Sequence, residues 1–185
     1  SGKEIVWTGG QDMIPRKPPI KRTIPFYRQE KPYTCGPATI RMALAALGRK
    51  VSEAYLVKVT GTTAKHGTSS AQMIKCLRKL KVAHMTGYNL RYHDLMYYAN
   101  QGIAIIDWAP QVLFPYHLEF VHTEHFNPAE ESHCAIVLSV SPKFIVIRDP
   151  VLGKKIKLSR ANFLKAWNSP EEDRWMLVVM PRELQ

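Results

Sequence analysis

The residues best suited to chemistry in this chain are one cysteine, one histidine and one aspartate. Cys35 begins the helical pattern CGPATIRMALAALG. At a helix N-terminus the unpaired N–H groups and the helix dipole stabilise a thiolate. A nucleophilic thiolate also needs a base and a group that orients the base. His133 begins the strand pattern HCAIVLSV, and Asp149 ends the next one, FIVIRDP. Because an antiparallel hairpin brings these two ends side by side, we expect His133 to lie beside Asp149.

Gln29 is a candidate for the fourth part of such a site. Acyl transfer at a cysteine needs donors that face the developing oxyanion, and a glutamine amide together with the Cys35 N–H would supply two. Each of the four residues also has an ordinary structural explanation: a buried cysteine, a hydrogen-bonded histidine, an Asp-Pro turn and a surface glutamine. Their occurrence together in this order favours catalysis.

The other two cysteines, Cys76 and Cys134, are predicted to be core residues. Cys76 lies beside an apolar helical stripe, and strand alternation places Cys134 on the face opposite His133. Three widely spaced cysteines fit neither a disulfide framework nor a zinc site, so we expect free thiols in a reducing compartment.

The hydrophobic period changes along the chain from helical to strand-like. Helical spacing predicts a helix from Cys35 to a stop at Gly48, with Thr34 as its N-cap, and further helices over 51–60, 69–80 and 92–100. Short apolar and β-branched runs then predict strands over 103–108, 134–140, 144–148, 155–158 and 175–180, with a short helix over 160–167. Helices followed by an antiparallel sheet are typical of an α+β domain.

Length and composition fit one folded domain. The chain has 185 residues, of which 45% are hydrophobic, enough to form a single core without disulfides or metal. We expect a basic, proline-rich N-terminal arm over residues 1–27 and the folded domain over 28–185. The apolar runs are shorter than a membrane span of about 18–20 residues, which excludes a transmembrane protein, and the first residues do not resemble a signal peptide.

The net charge of +11 favours a negatively charged partner. A nucleic-acid binder is the weaker interpretation, because the basic residues are scattered and no groove-reading motif is present. A long stretch without periodicity over 109–132 contains the acidic residues and histidines His117, Glu119, His122, Glu124 and His125. Their spacing fits no zinc signature, so we expect no metal and no cofactor.

Several short motifs occur along the chain in an order that resembles that of a known family. They are Gln29-x5-Cys35-Gly36-Pro37-Ala38, Gly67-Thr68-Ser69, His133 at a strand start, Asp149-Pro150 with Gly153, and LSRANFLKAW. This set resembles the papain-like bacteriocin-processing peptidases, the double-glycine leader peptidases usually fused to ABC exporters, and their free-standing relatives. The resemblance implies a papain-like α+β fold with the nucleophile at a helix N-terminus and a C-terminal antiparallel sheet.

The resemblance also implies roles for individual residues. Cys35 corresponds to the nucleophile, His133 to the general base, Asp149 to the residue that orients the imidazole, and Gln29 to the oxyanion donor. The implied reaction is cleavage of a peptide bond after a Gly-Gly pair. Gly36, next to the sulfur, and Trp108 are predicted to contact substrate.

The biological setting is open between several alternatives. The chain could be an antibacterial effector domain that cleaves target-cell proteins and is restrained by an acidic immunity protein. It could instead process leader peptides of bacteriocin-like precursors, carry out acyl transfer or deamidation with the same Cys–His pair, or bind peptides without cutting them. The corresponding locations are the bacterial cytoplasm, or a target cell into which a larger effector is delivered.

Overall fold

A mixed sheet of seven strands forms the centre of the fold. The structure, a computed structural model, describes residues 4–6, 23–114, 133–168 and 174–181. The strands are β1 (Glu4–Val6), β2 (His84–Gly87), β3 (Ile103–Trp108), β4 (His133–Val140), β5 (Phe144–Arg148), β6 (Lys155–Ser159) and β7 (Met176–Val179). Their order across the sheet is β1-β2-β7-β3-β4-β5-β6. Strands β1 and β2 are parallel, and all other neighbours are antiparallel.

Five α-helices cover the two faces of this sheet. They are α1 (Cys35–Ala46), α2 (Glu53–Thr60), α3 (Ser70–Lys79), α4 (Tyr92–Tyr98) and α5 (Arg160–Trp167), and a short 3-10 helix spans Pro110–Val112. Apolar side chains of α1, α2 and α3 share one buried cluster with Ile105, Cys134 and Ile136 of the sheet. Side chains of α4 and α5 share a second cluster with Ile106 and other residues of the opposite face. The α+β prediction is therefore confirmed.

Most predicted elements occur where periodicity placed them. Gly48 follows α1 in a left-handed conformation, with φ of +80°, as expected of a C-terminal stop. Thr34 is not the side-chain cap we predicted: its hydroxyl donates to Glu53 Oε1 and accepts from the Lys31 N–H at 3.1 Å instead. Strands β1 and β2 were not predicted, since a segment as short as HMTG becomes a strand only through its pairing with β1 and β7.

The end of the predicted N-terminal arm packs against the folded domain. Ile24 and Tyr27 contact the α1–α3 cluster. Arg28 donates from Nε and Nη2 to the Val151 carbonyl at 3.2 and 2.8 Å, and the Gln29 N–H donates to the Pro150 carbonyl at 3.1 Å. The boundary at residue 27 stays a prediction. These contacts fasten the segment that leads to Cys35 onto the turn after β5.

Candidate active site

Cys35 is partly buried at the first residue of α1, which packs against β4. Three groups favour its thiolate. The pKa of Cys35 is lowered from 9.0 to about 6, foremost by a hydrogen bond from the Cys134 thiol, and also by the positive charge of His133 and the Cys134 N–H. Burial and the Asp149 charge act in the opposite direction. Cys35 is therefore largely a thiolate at neutral pH.

His133, the first residue of β4, pairs with Trp108 of β3 across the sheet and forms an ion pair with Asp149. The distance between His133 Nδ1 and Asp149 Oδ2 is 3.0 Å, and both side chains are buried. Burial by itself would lower the pKa of His133, but the negative charges of Asp149, Cys35 and Asp107 raise it to about 10. The imidazole is therefore protonated at neutral pH.

Asp149 is completely buried, and its two carboxylate oxygens have different hydrogen-bond partners. Oδ1 accepts from the Val151 N–H at 2.7 Å, which forms an Asx turn immediately after β5. Oδ2 faces His133 and accepts from the Trp108 indole N–H at 3.2 Å. The Asp-Pro sequence is thus a turn, and the same turn fixes a carboxylate beside the histidine.

The structure brings Cys35, His133 and Asp149 together as predicted. Their electrostatic coupling gives a thiolate–imidazolium pair supported by a buried carboxylate. Such a pair combines an activated nucleophile with an acid that can protonate a leaving group, which suits attack on a carbonyl carbon.

Gln29 does not lie as predicted for an oxyanion donor. Its Nε2 donates to the carbonyls of Lys31 and Pro32 at 2.8 and 2.9 Å, which uses both amide hydrogens. The side chain therefore closes the turn that leads into α1. In this arrangement its amide has no hydrogen left for an oxyanion.

Gly36 and Trp108, the two predicted substrate contacts, are both buried. A Cβ atom on Gly36 would lie 2.9 Å from Thr68 Cβ, so the glycine permits close approach of the 67–69 segment. Trp108 is fully buried, and its indole contacts Asp149 rather than solvent. Both residues therefore shape the site from within the protein.

Glu53 is a buried residue near the site that sequence reasoning missed. Its Oε1 accepts from the Glu30 N–H at 2.8 Å and from the Thr34 hydroxyl. Burial raises the pKa of Glu53, and these two hydrogen bonds partly oppose the increase. In the sequence, a glutamate after Ser52 indicates only a helix start. Its contact with the residue before Cys35 depends on how α2 packs on α1.

The predicted acidic and histidine-rich stretch lies outside the described residues. Within the part of the chain that the structure describes, His, Cys, Asp and Glu side chains form no group of three able to hold a metal ion. Among those same residues, none of the helices combines the length and apolar composition required to cross a membrane.

Comparisons with known proteins give one family and one fold. Residues 21–172 match the family described as Peptidase_C39 like family. An uncharacterized protein from Methanothermobacter marburgensis is 28% identical over 138 residues, which are 75% of this chain and 79% of that protein.

Two solved structures share the architecture. The peptidase domain of Streptococcus ComA, a bifunctional ABC transporter involved in quorum sensing, aligns with a TM-score of 0.63 at 17% identity and covers 86% of this chain and 100% of that one. A double glycine motif protease from an AMS/PCAT transporter, in complex with the leader peptide, aligns with a TM-score of 0.64 at 17% identity and covers 90% and 99%. At this identity the likeness establishes a shared fold.

Proposed function

The chain belongs to the Peptidase_C39 like family and is a cysteine peptidase; on that premise we propose that Cys35, His133 and Asp149 are its catalytic residues and that it cuts after Gly-Gly pairs. The observation that carries the assignment is the coupling of the Cys35 thiolate to the imidazolium that Asp149 holds at 3.0 Å. A purely structural cysteine and histidine would not need a buried carboxylate positioned in this way.

The proposed reaction proceeds through a thioester. The Cys35 thiolate attacks the carbonyl carbon of the scissile bond and forms a tetrahedral intermediate. His133 then protonates the leaving amine, which departs as the new N-terminus. With Nδ1 facing Asp149, Nε2 is the nitrogen that transfers this proton. The neutral imidazole then takes a proton from water, whose oxygen attacks the thioester, releases the new C-terminus and restores the thiolate.

We assign the oxyanion to the backbone N–H of Cys35, because the first N–H groups of a helix lack intrahelical acceptors. Gln29 acts in this proposal by holding the turn before α1. The variant Gln29→Ala distinguishes the two roles. If Gln29 is an oxyanion donor, Gln29→Ala should lower kcat by roughly 10²–10³-fold with stability unchanged. If Gln29 holds the turn, the variant should lower the melting temperature as well as kcat.

Cleavage after Gly-Gly is supported by the neighbours in fold. One of them is described as a double glycine motif protease and was solved with its leader peptide. Cleavage after two glycines would follow from a narrow approach to Cys35 that admits backbone without side chains.

The experiment that tests this function compares fluorogenic peptides that differ only before the scissile bond. We expect hydrolysis after Gly-Gly and a large loss of kcat/KM when either glycine becomes alanine. Cys35→Ala and His133→Ala should each abolish turnover with the fold retained, and Cys76→Ala, a buried cysteine on α3, should not. Full activity of Cys35→Ala would falsify the assignment of the nucleophile.

A second measurement, cleavage of proteins in a lysate, identifies the physiological substrate. We propose an acidic protein as the physiological partner, either a substrate or an inhibitor of the immunity type, because the chain carries a net charge of +11. Fragments that appear in a lysate with wild-type protein and not with Cys35→Ala, sequenced at their new C-termini, identify the substrate. Cleaved cellular proteins favour an effector, and cleavage confined to precursor leaders favours processing.

A further inference from the structure

We propose that Cys134 is a resolving thiol, which forms a reversible disulfide with Cys35 when a peroxide oxidises the nucleophile. The proposed disulfide blocks the site and protects Cys35 from irreversible oxidation. Its effect on activity rests on the proposed function, whereas formation of the bond depends only on the two thiols.

The sheet directs Cys134 toward the start of α1. Along β4 the side chains alternate, so Cys134 and Ile136 belong to the cluster under α1–α3, and Ala135 belongs to the opposite one. Cys35, at the first residue of α1, packs against that same cluster. Cys134 therefore lies behind the nucleophile, on the side away from bulk solvent, and is itself buried.

Cys35 and Cys134 lie in one packed cluster and interact through their side chains. The Cys134 thiol donates a hydrogen bond to Cys35, and Met73 Sδ, at 3.8 Å from Cys134 Sγ, is a second acceptor for the same hydrogen. The Cys134 N–H also donates to Cys35. The proposal requires that rotation of these two neighbouring side chains brings the sulfurs to the geometry of a disulfide.

Cys35 and Cys134 differ in the ways that the chemistry requires. Cys35 is partly exposed and held as a thiolate, so a small peroxide can reach it and be attacked by it. Cys134 is buried and meets no oxidant directly, but it contacts the sulfur that becomes oxidised. Because it is already in place, its attack is intramolecular and outpaces a second oxidation by peroxide in solution.

The two steps balance in atoms and electrons. The Cys35 thiolate attacks one oxygen of hydrogen peroxide and the O–O bond breaks. A sulfenic acid forms on Cys35, and the hydroxide that is released takes a proton from solvent. The Cys134 sulfur then attacks the Cys35 sulfur, forms the S–S bond and expels hydroxide, which takes up the thiol proton as water. One thiolate and one thiol lose two electrons in total, and with the proton from solvent the peroxide becomes two waters. A small dithiol reverses the reaction by thiol–disulfide exchange.

Peptide mass spectrometry after a brief treatment with hydrogen peroxide tests the proposal. We expect wild-type protein to become about 2 Da lighter, with a Cys35–Cys134 linked peptide that dithiothreitol removes. In Cys134→Ala, Cys35 should instead gain about 32 Da as sulfinic acid, and dithiothreitol should not remove it. Cys76→Ala is the matched control, since Cys76 is a buried thiol of the same cluster whose pKa burial raises to about 11.

Activity gives a second readout that separates this proposal from the proposed function. After peroxide, dithiothreitol should restore nearly all turnover to wild type and Cys76→Ala, and less than a tenth to Cys134→Ala. The proposal is overturned if wild type accumulates sulfinic acid without the linked peptide, or if Cys134→Ala recovers as fully as wild type. If the linked peptide forms in protein that hydrolyses no Gly-Gly peptide, the disulfide stands and the proposed function fails.

Discussion

Replacement of Asp149 by asparagine perturbs the site at the carboxylate that joins the turn to the histidine. The carboxylate accepts from the Val151 N–H at 2.7 Å through Oδ1 and from the Trp108 indole at 3.2 Å through Oδ2, which also faces His133. An asparagine has only one oxygen. If that oxygen faces Val151, its NH2 group meets the indole N–H; in the other orientation, the Val151 N–H loses its acceptor.

The size of the effect follows from these contacts. One buried donor left without an acceptor costs about 1–3 kcal/mol, and for a domain of this size each kcal/mol lowers the melting temperature by about 2–4 °C. The loss of charge has a separate effect. Because Asp149 is the foremost of the charges that raise the pKa of His133 to about 10, that pKa should fall toward 6.5. We expect kcat/KM at neutral pH to fall roughly 10⁴-fold, less than after loss of Cys35 or His133.

The assay is the pH dependence of kcat/KM on a Gly-Gly peptide, measured with thermal unfolding. In Asp149→Asn the alkaline limb should shift toward neutral pH. The matched control is Asp94→Asn, which alters a buried carboxylate that caps α4 and accepts from the Arg91 N–H. It should lower stability and leave the pH profile unchanged. If Asp149→Asn keeps the wild-type rate and an alkaline limb near pH 10, then Asp149 does not hold the imidazolium.

Three further predictions follow from the same contacts. The wild-type rate should rise as pH increases through about 6, where the Cys35 thiol loses its proton. It should fall as pH increases through about 10, where the His133 imidazolium loses its proton. A rate that stays constant across pH 5–7 would contradict the thiolate assignment. Trp108→Phe removes a donor to the carboxylate and should lower kcat about fivefold, whereas Trp175→Phe, which loses an indole bond to Thr86, should lower stability alone. Glu53→Ala leaves the Glu30 N–H without its acceptor and should cost about 1–3 kcal/mol in urea unfolding, whereas Glu53→Gln keeps the accepting oxygen and should cost less than half as much.

The sequence sufficed for the elements whose pattern is local. The helix that begins at Cys35 and the hairpin that joins His133 to Asp149 follow from hydrophobic period and turn residues. Their order along the chain also indicated a cysteine, a histidine and an aspartate that meet in one site. Periodicity cannot indicate where long-range partners lie. Strand β2, with four residues, is defined by neighbours that are distant in the chain.

Three predicted site residues make contacts within the protein that the sequence did not indicate. Gln29, Gly36 and Trp108 were assigned to oxyanion or substrate, but the structure engages each with another part of the protein. A residue's type indicates which bonds it can make, and only the packing decides which of its possible partners is within reach.

Cys134 shows most clearly what the sequence determines and what only the tertiary structure decides. Strand alternation alone determined that it points away from His133 and into the core. Only the tertiary structure placed the start of α1 over that face of β4, so that a predicted core residue lies against the predicted nucleophile. The physical reason is that strand periodicity fixes the direction of a side chain along its own strand, whereas the helix packed above it is chosen by burial of apolar surface across the whole chain.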